Sequence, residues 1–226
     1  MNRKISHRFL CEIFVLLWIE IINRIEGWLD NQGKKRVWYK NKRKERTLMH
    51  TKTKELVYIG IFAALMAVCA WILVPAAVPF TLQTFAVFLA IGLLGGRCGT
   101  LAVLVYILMG AVGLPVFSGF KGGPGALFGS TGGYIFGFLF SALLMWGMEK
   151  VFGKRTGVLM LSMFLGLLVC YTVGTAWYML VYTHSTGTVG VMTVLGWCVF
   201  PFVIPDCLKI LLAVWMTKRL KKFVRT

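Results

Sequence analysis

Acidic residues are scarce in this chain: eight among 226 residues, against 25 lysines and arginines. Beyond Lys54 only Glu55, Glu149 and Asp206 remain, too few and too scattered for a carboxylate pair that would do acid–base chemistry. No G-x-x-x-x-G-K-[ST] run occurs, so there is no lysine-bearing loop to hold nucleotide phosphates, and ATP hydrolysis would need another subunit. The six cysteines (Cys11, Cys69, Cys98, Cys170, Cys198 and Cys207) form no C-x-x-C pair and read as small hydrophobes. His7, His50 and His184 stand apart from one another and from any carboxylate pair, so no metal site is expected. Ser130 and Thr131 have no His/Asp constellation around them; no catalytic residue is assigned, and the chain is not expected to be an enzyme.

What is present is apolar length. With 58% hydrophobic and 15% charged residues the composition departs from that of soluble domains, where about 25% are charged. Six apolar segments can be traced: Leu56 to Val74, Phe80 to Leu94, Thr100 to Leu114, Gly132 to Met148, Val158 to Tyr182 and Val191 to Met216. The expected fold is an all-α membrane protein of six transmembrane helices, although the second and third segments are shorter than a comfortable span of about 20 residues. Basic residues set an orientation. Arg97, Lys150, Lys154, Arg155 and the tail Lys218 to Lys222 fall on one side with the N-terminus, and Lys121 alone on the other, which the positive-inside rule reads as both ends cytoplasmic in a cell membrane. The formal net charge is +17, of which +9 lies in residues 1–54; nothing resembles a base-reading module, and no nucleic-acid partner is expected.

Residues 1–54 differ in kind from 55–226. Phe9 to Leu29 mixes apolar residues with Glu12, Glu20, Arg24 and Glu26, as an interfacial amphipathic helix does, and a basic run follows from Lys34 to Lys54. No signal-peptide pattern is evident, and Met49 is an equally good start, so no function is placed in this extension.

Three features carry chemistry. Between Gly157 and Thr217 the only formal charges are Asp206 and Lys209, three residues apart and therefore on one helix face. A charge at bilayer depth costs about 2.5–3.5 kcal/mol on insertion scales, so the pair either faces a ligand or locks its helix into the bundle as a salt bridge. The connection Gly113 to Gly133 is rich in glycine yet carries Phe117, Phe120, Leu127 and Phe128, which favours a packed outer capping loop over a solvated linker. In the first segment Ala63 and Ala67 are four apart, with Gly60 and Ala64 forming a second small-residue register; either permits close helix approach, inside the bundle or against a partner.

The runs Val78 to Ala90 (VPFTLQTFAVFLA), Gly92 to Gly99 (GLLGGRCG), Gly110 to Gly119 (GAVGLPVFSG), Gly129 to Tyr134 (GSTGGY) and Pro205 to Lys209 (PDCLK) together resemble the BioY family, over roughly Lys54 to Lys222. That resemblance implies the biotin-capturing subunit of an energy-coupling-factor importer, working with a transmembrane coupling subunit and two cytosolic ATPases, with biotin as transported ligand and no cofactor. It also implies that the Ala63 and Ala67 face meets the coupling subunit. Biotin offers two ureido N–H donors, a ureido carbonyl and a carboxylate. Asp206 suits the donors, and Lys209 either the carbonyl or the carboxylate. Gln83, Thr84 and Tyr134 are expected to add neutral hydrogen bonds, and Trp177, Tyr178 or loop phenylalanines to cover the apolar body. A stand-alone facilitator, an ion-coupled carrier or a capture subunit for another vitamin are the alternatives.

Overall fold

The computed structural model describes residues 20, 23–24, 43–74, 80–186 and 190–222. The expected amphipathic helix Phe9 to Leu29 lies, apart from Glu20, Asn23 and Arg24, outside the described residues. Thr51–Thr226 forms one compact unit. Its order is α1 (Arg43–Trp71), β1 (Leu73–Val74), β2 (Phe80–Thr81), α2 (Gln83–Ala111), α3 (Pro124–Leu127), α4 (Gly132–Phe152), α5 (Thr156–Thr186), α6 (Val191–Cys198) and α7 (Phe200–Leu220). Five of these helices (α1, α2, α4, α5 and α7) are long and apolar enough to cross a membrane. Helix α1 begins earlier than its apolar segment because the basic residues ahead of Leu56 are good helix formers.

The second and third apolar segments meet in α2, and its geometry shows why each is short. Gly95 sits at φ 80, ψ 166, outside the helical region, in a conformation that side-chain-bearing residues avoid. In a straight helix Gln83 and Tyr106 would lie roughly 34 Å apart at 1.5 Å per residue. Instead Gln83 Nε2 donates to Tyr106 Oη at 2.9 Å. The helix therefore doubles back at Gly95 into two arms. They touch closely: a Cβ placed on Gly99 would stand 2.6 Å from Ile91 Cα. Glu149 of α4 closes the bend, accepting the Gly96 N–H at 2.5 Å and pairing with Lys154 Nζ at 3.2 Å.

This folded helix is the centre of the bundle. Of its most apolar stretch 78% is buried, against 33% for α4 and for α5, whose outer faces are left for lipid. Helix α2 packs against α4 and α7, and α5 runs along α4. Small polar residues join these helices where an unpaired hydroxyl would be costly: Ser141 Oγ donates to Gly166 O at 2.5 Å, and Thr100 Oγ1 to Ala142 O at 3.2 Å.

Two local departures from the expected segments matter for the site. The last apolar run is split at Val199 (φ −127, ψ −59) into α6 and α7, just before Pro201, which has no N–H to continue a helix. Between α1 and α2 the chain makes a two-stranded antiparallel ribbon, Leu73 opposite Thr81 and Val74 opposite Phe80, so Phe80 is a strand residue and not the start of a helix.

The arms of α2 should not tolerate separation. Gly99→Val is expected to lower stability by at least about 1–3 kcal/mol, since the new side chain meets backbone that has no room to yield. Gly147→Ala, where a Cβ meets nothing within 4 Å, should be neutral or stabilising. Thermal unfolding of the purified variants in detergent checks both.

Candidate functional site

At the end of the bundle opposite the Gly95 bend, the ribbon, the glycine-rich connection, α4, α5, α6 and α7 enclose a cavity of about 80 Å³. Asp206 and Lys209 both line it, and both are buried, at 4% and 6% exposure. Pro205 precedes them inside α7, where its ring withdraws one intrahelical hydrogen bond. Lys209 Nζ donates to Asp206 Oδ1 at 2.7 Å and to Thr81 O at 2.6 Å, and lies 3.7 Å from the centre of the Phe80 ring. The other carboxylate oxygen, Oδ2, accepts from Tyr171 Oη at 2.5 Å. The result is a continuous polar chain, Tyr171–Asp206–Lys209–Thr81, crossing from α5 through α7 to the ribbon. Each charge is matched before any ligand is considered, as burial demands.

Aromatic rings frame that chain. Phe80 stacks on Phe202 with ring centres 5.8 Å apart, and Phe117 and Phe138 also line the cavity. The pocket is thus apolar with a few convergent polar groups, the usual form of a small-molecule site.

The residues expected from the sequence are placed unequally. Gln83 and Thr84 both line the cavity, but the Gln83 amide already donates to Tyr106 Oη, which in turn donates to Val116 O at 3.1 Å. Gln83 therefore also ties α2 to the glycine-rich connection. Tyr134 lines the cavity with its hydroxyl 3.4 Å from Thr175 Oγ1 and 3.5 Å from Cys198 O; its ring fits because Gly174 has no side chain. Trp177 and Tyr178 do not line the cavity: Trp177 Nε1 donates to Gly129 O at 2.9 Å, and Tyr178 stacks on Tyr182. Of the loop phenylalanines, Phe117 is buried at the site, whereas Phe120 and Phe128 are exposed.

Ala63 and Ala67 are buried, at 0% and 5% exposure, while Gly60 and Ala64 are exposed. The outward small-residue register of α1 is therefore Gly60 and Ala64. Ala63 and Ala67, the pair expected to meet a partner, are thus on the inward register of this helix.

Tyr171, Ser118 and Lys121 are among the lining residues that were not anticipated. Tyr171 is one hydroxyl in an apolar run, 35 residues from Asp206, and no spacing rule links them. Ser118 lines the cavity with its Oγ buried and without a hydrogen-bond partner among the described residues, and Lys121 stands beside it. The one available signal was that Lys121 is the lone cation on its side of the chain.

A family model described as "BioY family" matches residues 41–226. The chain is 41% identical over 170 residues to the "Biotin transporter BioY" of Thermotoga maritima, a match covering 75% of this chain and 96% of that protein. It is 39% identical over 171 residues to the "Probable biotin transporter BioY" of Pyrococcus horikoshii, covering 75% and 98%. Among solved structures it resembles the S-component for biotin from an ECF-type ABC transporter, with a TM-score of 0.68 and 26% identity over 77% of this chain and 97% of that one. The pocket-forming residues Phe80 to Lys209 lie wholly within the matched region, and the chain belongs to the BioY family.

Proposed function

We propose that the chain captures biotin in the Asp206–Lys209 cavity at the outer face of a cell membrane and hands it inward within an ATP-driven energy-coupling-factor complex. The observation that carries this reading is the polar chain Tyr171–Asp206–Lys209–Thr81 set in an aromatic frame. A ureido ring needs a carboxylate acceptor and a cationic donor side by side, and its apolar bicyclic body needs rings to cover it. Lys121 and the unpartnered Ser118 hydroxyl, on the glycine-rich connection, suit the valerate carboxylate at the other end of the ligand.

The membrane arrangement belongs to the same proposal. Counting the two arms of α2 separately, the chain crosses six times with both ends cytoplasmic. The basic residues around the Gly95 bend, the α4–α5 connection and the end of α7 support this. The site then faces outward. Residues 1–54 form a basic extension with no part in it, and 55–226 form the binding domain. The coupling subunit would meet α1, whose outward Gly60 and Ala64 permit close helix approach, and two cytosolic ATPases would supply the energy, since the chain itself has no phosphate loop.

The first outcome concerns binding by the chain alone. Asp206→Asn and Lys209→Met are each expected to weaken biotin binding by about 2 kcal/mol or more, the loss of a charge-assisted bond in a buried site, measured by titration of folded variants. A chain beginning at Met49 should bind as the full chain does. If both single variants keep full affinity, the pair serves only to lock α7.

The second outcome separates capture from transport. Gly60→Leu combined with Ala64→Leu should leave equilibrium biotin binding intact while abolishing co-purification with a coupling subunit and ATP-dependent uptake. Ala63→Trp combined with Ala67→Trp should instead impair folding, because both positions are enclosed. Survival of uptake in the Gly60/Ala64 variant would favour a stand-alone carrier.

A further inference from the structure

A second cavity, of about 320 Å³, opens at the other end of the bundle, beside the Gly95 bend, the α4–α5 connection and the last turn of α7. One wall is cationic: Lys154, Arg155, Lys218 and Lys221. Lys154 is engaged by Glu149, which the Gly96 N–H also holds. Among the described residues no carboxylate pairs with Arg155, Lys218 or Lys221. At the same wall α5, 31 residues long, begins at Thr156 with no acidic residue in its first turn, so the positive end of its dipole and its free N–H groups point the same way as the cations.

The same cavity has apolar lining in Ile91, Leu93, Met145 and Leu159. Thr217, which also lines it at 2% exposure, turns its Oγ1 to Gly92 of α2 and not to the open space: a Cβ on Gly92 would collide with that oxygen. Three cations without a carboxylate partner among the described residues, beside apolar lining, fit an amphiphile whose polar end is a phosphate.

We propose that this cavity seats the phosphate headgroup of an anionic phospholipid, with Arg155, Lys218 and Lys221 around the phosphate and an acyl chain along the apolar lining. Such a lipid would pin the α2 bend, the start of α5 and the end of α7 to one another at the basic surface of the bundle. The assignment rests on the chain being a membrane bundle and is independent of what the outer cavity binds.

Native mass spectrometry of the full chain in neutral detergent tests it, with phosphatidylglycerol, phosphatidylcholine of the same acyl chains, and inorganic phosphate as three separate probes. Phosphatidylglycerol is expected to bind about tenfold more tightly than phosphatidylcholine. Each of Arg155→Gln, Lys218→Gln and Lys221→Gln should weaken it by about fivefold. Lys150→Gln, at the same end but off the cavity, should change nothing, and biotin affinity should be unaffected in every variant that remains folded. Equal binding of the two lipids, or unchanged binding in all three cation variants, would overturn the proposal. Displacement of phosphatidylglycerol by millimolar inorganic phosphate would reassign the site to a free anion and overturn the lipid assignment. All three cations are exposed side chains, so their variants should fold and the comparison decides.

Discussion

A lysine and a carboxylate held at depth in an apolar bundle constrain everything around them. Asp206 and Lys209 stand 2.7 Å apart at one turn's spacing on α7, yet a contact between two buried charges does not by itself offset their loss of water. Each must spend its remaining bonding capacity on a neighbour, and each neighbour comes from a different element. Tyr171 brings α5, and Thr81 brings the ribbon with its backbone carbonyl. Phe80, the next ribbon residue, gives the ammonium an electron-rich face and stacks on Phe202. Satisfying one ion pair therefore assembles three walls of the cavity, and the groups that neutralise the pair are those that would compete with, or yield to, a ligand.

The remaining walls depend on close approach between helices in a medium where burying apolar surface gives no advantage over lipid. The doubled α2 supplies this at the centre, where Gly99 lets one arm lie on the backbone of the other. At the end away from the bend its two arms are tied by Gln83 and Tyr106, and Tyr106 continues to the carbonyl of Val116 in the glycine-rich connection. At the other end Glu149 closes the bend. The connection that lines the cavity is thus attached to the most enclosed element of the fold.

Much of this was legible in the sequence because membrane chains advertise their exceptions. Two charges in a long apolar run identify α7 and the face that lines the cavity without any structure, and the boundaries of α4 lie close to its apolar segment. The joining of two segments into α2 was hidden because the break is a single glycine torsion; composition alone cannot distinguish a loop from a bend flanked by helix. Which small-residue register of α1 faces outward was also illegible, since Ala63 and Ala64 are chemically identical and only the rotation of the helix separates them. Tyr171 escaped notice for a related reason. Its importance comes from one long-range contact to Asp206, and a tyrosine in an apolar helix carries no spacing signature.

The most direct measurement is equilibrium binding of labelled biotin to the purified full-length chain, with no other subunit present. Saturable binding at one site per chain, displaced by unlabelled biotin and not by an unrelated vitamin such as thiamine or riboflavin, is the expected result. Absence of saturable binding by a folded chain, or equal displacement by those unrelated vitamins, would contradict the assignment of the Asp206–Lys209 cavity to biotin.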